Sequence, residues 1–381
     1  MHAAQGLLEV TVLLAMVAFC HVAICARLGI PAVVGYLLSG ILIGPSGLGL
    51  IAEGATLTLI GEVGVILLLF TLGLEFSLDK LVSLRRLIFG LGLAQVLATG
   101  GLVAGGLLVF TEIGAAAAVL IAGAVAMSST ALCLKVLAGG GALGTPQGRV
   151  AIAVLLFQDL AAVGFLAFHD VIVAAGAVGS ANGILKMVGG IGVFIGAFFI
   201  ARSTLQRLAE WVASQGEADL AQLLALVIAL LAAIVAQVAG LSPALGAFAS
   251  GMAIAEGDAR QFVEREIRPF RDLFVGAFFI SIGTQLHVGE VWSTWPTVLA
   301  WLCIIMVVKL ALIVALTRMF GENLETALRA GAILAHGGEF SLMLISVMTA
   351  SGLLQTNVAD PLFLALGLSM LIGAVVVRRA A

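Results

Sequence analysis

The sequence predicts an all-α integral membrane protein of 13 transmembrane helices, arranged as two inverted six-helix repeats around a linker helix. Three observations predict it: the density of apolar runs, the placement of the basic residues, and motifs that recur in the second half of the chain. Of 381 residues, 62% are hydrophobic and only 10% charged, with a mean hydropathy of +1.22. No soluble globular class has that composition. The 47 glycines fit the same class, since small residues let membrane helices approach closely. The four cysteines, Cys20, Cys25, Cys133 and Cys303, lie in apolar runs and outline neither a disulfide framework nor a metal site.

Apolar stretches of about 20 residues, the length a bilayer requires, fall at 7–26, 32–51, 57–76, 87–110, 114–138, 150–177 and 184–202. Six more fall at 220–238, 242–256, 273–287, 294–317, 326–350 and 359–377, with short polar or Gly/Pro punctuation between them. The first has no basic segment before it and no cleavage site after it, so it reads as a retained span and not as a signal peptide. An odd count puts the termini on opposite sides. Arg27, Lys80, Arg85, Arg86, Lys135 and Arg149 lie at the first, third and fifth connections. Arg202, Arg207, Arg260, Arg265, Arg268, Arg271, Arg318 and Arg329 lie at the seventh, ninth and eleventh, and Arg378 and Arg379 close the chain. All fall on one side; only Lys186 and Lys309 remain of the 18 basic residues. Positive residues stay inside, so the N-terminus is expected outside and the C-terminus in the cytoplasm. Trp292 and Trp295 then sit at the outer interface.

The halves superpose in sequence. PAVVGYLLSG from Pro31 resembles PALGAFASG from Pro243, LFTLGLEF around Gly73 resembles FISIGTQL around Gly283, and AGAVAMSST from Ala122 resembles AGAILAHGG from Ala330. The offsets drift slowly: 212 for Pro31 and Pro243, 211 for Gly40 and Gly251, 210 for Gly73 and Gly283, and 208 for Gly123 and Gly331. The expected division is a first repeat over 1–177, a linker helix and cytoplasmic loop over 178–218, and an inverted second repeat over 219–381. Such repeats build many secondary transporters, with the site near the midplane between discontinuous helices. The interruptions are expected at Met127-Ser128-Ser129-Thr130 and at His336-Gly337-Gly338-Glu339. Unwound backbone is tolerated at membrane depth only where it is buried in protein or lines a cavity.

Within this apolar chain the polar residues stand out. Asp159, in VLLFQDLAAV, is expected at the midplane, where an ionised carboxylate is costly and functional by default. It is comfortable there either protonated or paired with a cation, so taking one requires releasing the other. That is exchange chemistry. Gln158 offers an uncharged carbonyl beside it. Lys309 is the one basic residue deep in a span and needs a partner; Asp159 is the expected one, Glu339 the second. Glu339 and His336 lie at the second interruption, as a crossover anchor or part of a proton path. Glu75, Glu62, His169 and Asp170 lie nearer the ends of their spans, where no special role is needed. The chain has no P-loop, no GxGxxG after a strand and no HExxH. Ser39-Gly40 and Ser250-Gly251 have no evident His partner, so a hydrolase is not expected, nor any enzyme, nor nucleic-acid binding.

LLFTLGLEF, AMSSTALCL, GRVAIAVLLFQDLAAV, PALGAFASGMAIA and AHGGEFSLML, in this order along the chain, together resemble the monovalent cation/proton antiporter superfamily, and within it the Kef-type potassium/proton antiporters, which carry Gln-Asp in the ion site. The resemblance covers essentially the whole chain. It implies a Na+/H+ antiporter-like fold with crossed discontinuous helices, a homodimer with separate dimerisation and core domains, and an elevator-like movement. It places the exchanging carboxylate and the K+ on Asp159, its neighbour on Gln158, the crossover on Ser128, Ser129 and Thr130, and the membrane lysine on Lys309. It implies the bacterial inner membrane and no cofactor. It also implies a regulatory cytoplasmic loop, here QFVEREIRPF with Glu264, Glu266 and Pro269 matching in kind, while Gln261 and Arg268 depart from the pattern. The C-terminal nucleotide-binding domain that this loop contacts in the family lies outside the chain, which is either the membrane part of a longer protein or a short relative. The expected activity is K+/H+ exchange, with Na+/H+ exchange the second choice, and a cation channel or a cation-sensing membrane protein the rivals from other classes.

Overall fold

The computed structural model describes the backbone except at residues 1, 51–54, 76–83, 179–180, 240, 256, 258, 287–288 and 290. The side chains of residues 2–11, 55–58, 174–178, 181–195, 197–198 and 291–293 are likewise outside the description. Lys80 and Phe76, and the side chains of Lys186 and Trp292, therefore lie outside the described residues.

The chain runs through α1 (His2–Leu28), α2 (Ala32–Ile43), α3 (Ala55–Glu75), α4 (Leu87–Phe110), α5 (Ala115–Ala126), α6 (Thr130–Gly139) and α7 (Pro146–Val178). It continues through α8 (Ala181–Gln215), α9 (Ala218–Val238), α10 (Pro243–Ile254), α11 (Arg260–Gln285) and α12 (291–319). It closes with α13 (Leu324–Leu334), α14 (Glu339–Ala350) and α15 (Thr356–Ala380). Short π turns, Leu87–Gly92 and Ile304–Val308, lie within α4 and α12. No strand occurs among the described residues. Six described helices or helix runs are long and apolar enough to cross a membrane: Leu87–Phe110, Ala115–Gly139, Pro146–Val173, Ala218–Val238, Thr294–Met319 and Thr356–Ala380. The pair α13 and α14, bent by 42° at its break, makes a seventh if read as one span.

Several expected boundaries move. The stretches 32–51 and 242–256 yield helices of only 12 residues each, about 18 Å long by the helical rise. α2 stops where Gly44 turns the chain, and the Leu48 amide folds back onto the Leu42 carbonyl. α10 starts on a firm cap, Ser242 Oγ accepting the Leu245 amide with Pro243 in the first turn. α8 continues to Gln215, well past the expected span at 184–202. The segment Gln261–Phe270, expected as a loop, is helix: α11 begins at Arg260 and carries Pro269 inside it. Its apolar stripe explains this. Val263 and Ile267 are buried, four residues apart, while Glu264 and Arg268 pair on the outer side at 2.9 Å.

Two compact units interleave in sequence. The first comprises Met1–Gly54, Leu84–Ala162 and Phe279–Ala381, with a core that includes Leu132, Cys133, Val154, Leu334 and Val377. Within it α2 crosses the last turns of α11 at Gly40 and Gly283. A Cβ on Gly40 would strike the Ile280 carbonyl oxygen, and one on Gly283 that of Leu37. The second unit comprises Ala55–Ser83 and Val163–Phe278, with a core that includes Leu67, Phe70, Ala229, Ala247 and Ile267. Within it α3 crosses α10 at Gly73 and Gly251. A Cβ on Gly73 would strike the Phe248 carbonyl oxygen, and one on Gly251 that of Phe70. Side-chain-free surfaces of this kind are how membrane helices reach backbone-to-backbone distance.

Candidate functional site

The site lies in the first unit, where two helices are interrupted. α5 ends at Ala126, Met127 and Ser129 are extended, and α6 starts at Thr130 with Ser129 Oγ accepting the Leu132 amide at 3.2 Å. α13 ends at Leu334 and α14 starts at Glu339, with extended Gly338 before it. The breaks touch. Ser128 Oγ donates to the Leu334 carbonyl at 2.7 Å, and the Ala131 amide donates to Glu339 Oε1 at 3.4 Å. Gly338 lies so close that a Cβ there would stand 2.6 Å from the Ser128 carbonyl.

Asp159 lies halfway along Pro146–Val173, the part of α7 apolar enough to cross, and is 2% exposed. The Thr130 hydroxyl stands 2.9 and 3.1 Å from its two carboxylate oxygens. Thr130 is the first residue of α6, so the carboxylate sits at the positive end of that half-helix. Of the residues at the first break, Thr130 bonds Asp159, while Ser128 bonds Gln158 and Leu334 and Ser129 caps α6.

Gln158 is turned away from the carboxylate. Its Oε1 accepts the Ser128 amide at 2.8 Å, and its Nε2 donates to Gln95 Oε1 at 2.8 Å. Gln95 Nε2 donates in turn to Thr99 Oγ1 at 3.1 Å and to the Ala126 carbonyl at 3.2 Å. Gln95 and Thr99, both buried on α4, join the candidate site without having stood out in the sequence. The available signal was an amide and a hydroxyl four residues apart, on one helical face, in the otherwise apolar LGLAQVLATG.

Lys309 is fully buried, and its partners differ from the expected carboxylates. Its ammonium donates to the main-chain carbonyls of Met127 and, at 2.9 Å, His336. It ties both breaks at once. Around it His336 Nδ1 lies 2.7 Å from the Gly337 carbonyl, and Nε2 lies 3.5 Å from Cys133 Sγ. The Gly337 amide donates to Ser369 Oγ at 2.9 Å. The electrostatics follow the half-helix dipoles: the cation sits by the C-terminal ends of α5 and α13, while Asp159 and Glu339 sit at the N-terminal starts of α6 and α14.

The remaining candidates lie elsewhere. Glu264 and Glu266 belong to the second unit, on the charged first half of α11, where they pair with Arg268 and Arg265 at 2.9 Å each. His169 and Asp170 pair with each other at 3.0 Å. Ser39 does have a histidine beside it, contrary to expectation: His21 Nδ1 lies 3.0 Å from its hydroxyl. That hydroxyl donates to the Gly35 carbonyl at 2.7 Å, so it is a helix-interior bond and not a poised nucleophile.

The family model described as the transmembrane sodium/hydrogen exchanger matches residues 12–380. The fold is shared with the sodium proton antiporter MjNhaP1 from Methanocaldococcus jannaschii. Its structure at pH 8 superposes with a TM-score of 0.65 at 15% identity, covering 99% of this chain and 96% of that one. Its electron-microscopy structure superposes with a TM-score of 0.61 at 14% identity, covering 98% and 95%. A match over nearly the whole chain, with apolar spanning helices and a buried carboxylate at a helix break, identifies the protein as a multi-pass membrane cation/proton antiporter of the sodium/hydrogen exchanger family.

Proposed function

We propose that the protein exchanges K+ for H+ across the membrane by alternating access, with Asp159 holding either the proton or the cation. The observation that carries this reading is the setting of Asp159: midway along a spanning helix, 2% exposed, and at the positive end of a half-helix with a hydroxyl on both carboxylate oxygens. A single exchanging carboxylate implies one proton per cation. Thr130, Ser128 and Ser129 shape the site, and Lys309 balances the carbonyls at the crossing. Glu339 and His336 stand at the second break, on the proton path or anchoring the crossover. Potassium follows from the resemblance to the Kef-type branch. Sodium is the second reading, supported by the family description and by the sodium proton antiporter whose fold is shared.

The same reading includes 13 crossings, two inverted repeats, a homodimer moving its core by an elevator step, and the bacterial inner membrane with the N-terminus outside. Support for the repeat comes from the glycine crossings. Laying Gly40 on Gly251 and Gly73 on Gly283 turns the contact Gly40–Gly283 into Gly251–Gly73, which is the crossing found in the other unit. A regulatory role for Glu264 and Glu266, and a C-terminal nucleotide-binding partner domain, belong to the Kef-type part of the proposal.

The test uses proteoliposomes with a trapped pH dye. Outward proton movement on adding external K+ without protonophore, lost in Asp159→Asn, is the expected result. The same result with Na+ alone moves the assignment to the second reading. A proton signal that needs protonophore overturns exchange in favour of a channel.

A further inference from the structure

Gln158 adjoins Asp159 in sequence, but both ends of its amide are engaged elsewhere. The reason lies in the broken helix. In a continuous helix the Ala126 carbonyl would accept from the amide of residue 130, and the Ser128 amide would donate to residue 124. The extended residues between α5 and α6 remove both bonds, leaving a main-chain acceptor and a main-chain donor buried at membrane depth, where each unsatisfied group is expensive. A relay of two side-chain amides replaces them: Ser128 N–H to Gln158, Gln158 to Gln95, and Gln95 to the Ala126 carbonyl.

The relay has one direction. A main-chain amide can only donate and a carbonyl can only accept, so the ends fix which way each side-chain amide points. Flipping either would set donor against donor or acceptor against acceptor. The spare proton of Gln95 goes to Thr99 Oγ1 one turn further along α4. Five polar groups from α4, α5, α7 and the break are thus closed into one chain, and the three side chains in it, Gln95, Thr99 and Gln158, are essentially fully buried.

We propose that Gln95 is a positioning residue of the exchange site. With Gln158 it holds the broken backbone at Ser128, and through it the start of α6 where Thr130 meets Asp159. Gln158 then acts on the cation through the backbone and not as a ligand, because its carbonyl oxygen is committed to Ser128. The inference rests on the exchange reading of Asp159.

The experiment compares wild type, Gln95→Leu, Gln158→Leu and the double variant in proteoliposomes, recording maximal rate, half-saturating cation concentration and pH profile, with Asp159→Asn as control. Each single variant is expected to raise the half-saturating concentration about three- to tenfold, the scale of one buried hydrogen bond. The double variant is expected to be no worse than either single one, since all three break the same relay. An unchanged half-saturating concentration and pH profile in Gln95→Leu overturns the proposal. So does a double variant whose effects multiply. Should Gln95→Leu fail to fold, Thr99→Val keeps the shape of α4 and removes one acceptor. It is expected to move half-saturation in the same direction by a smaller factor, and wild-type behaviour overturns the proposal. Exchange that persists in Asp159→Asn overturns the assignment of the exchange site to Asp159; loss there with an unaffected Gln95→Leu overturns only the positioning role.

Discussion

The two helix breaks meet at one point and are held by different chemistry. At the first, between α5 and α6, amides and hydroxyls do most of the holding: the Gln158–Gln95 relay, the Ser129 cap and the Ser128 hydroxyl on the facing Leu334 carbonyl. At the second, between α13 and α14, no such relay is present among the described residues: Lys309 takes the His336 carbonyl together with that of Met127 in the first break, and Ser369 and Ser341 accept the glycine amides. The difference teaches what each charge is set against. Lys309 is hydrogen-bonded to two main-chain carbonyls and ties one break to the other. Asp159 meets the Thr130 hydroxyl at a half-helix start, a setting that suits a proton and a cation alike.

The largest effect is expected at Lys309. Lys309→Met should destabilise the protein by about 2–4 kcal/mol, because two buried carbonyls lose their donor. Thermal unfolding in detergent measures it, and a variant as stable as wild type would show that the breaks hold without the ammonium. A smaller effect is expected from Thr130→Val, which removes the hydroxyl from Asp159 while keeping the shape of the start of α6. The half-saturating cation concentration should change by about tenfold, consistent with a hydrogen bond to a charged group. Ser369→Ala sharpens the contrast at the second break. It should lower stability by about 1 kcal/mol with cation affinity unchanged. An affinity shift there equal to that of Thr130→Val would erase the distinction. The smallest effect belongs to the charged half of α11: Glu264→Ala opens a partly exposed ion pair and should change stability by less than about 1 kcal/mol.

Much of this site could be read from the chain, for physical reasons. An Asp in an apolar run and a Ser-Ser-Thr or Gly-Gly interruption at midspan contradict their surroundings, so each declares itself without a structure. The glycines Gly40, Gly73, Gly251 and Gly283 are equally legible in the sequence, and each stands at a close helix crossing. What could not be read was direction. Nothing local says that Gln158 faces Ser128 and not the cation, or that Lys309 reaches carbonyls and not carboxylates. Those partners lie 30 and 182 residues away in the chain. Gln95 does not stand out, because a lone uncharged amide in an apolar helix is compatible with many settings. The loop at Gln261–Phe270 comes only from the resemblance, and the four-residue spacing of Val263 and Ile267 is what makes it the start of α11. The short helices α2 and α10 were overestimated because hydropathy measures composition, and an apolar run continues past the turn that ends a helix.

The central claim is that Asp159 trades a proton for a cation, and calorimetric titration of the purified protein tests it most directly. K+ and then Na+ are titrated in two buffers of different ionisation enthalpy, and the difference in heat counts the protons released per cation bound. The account predicts release close to one proton per bound cation, abolished together with binding in Asp159→Asn. Cation binding without proton release, or release that survives in Asp159→Asn, would contradict it.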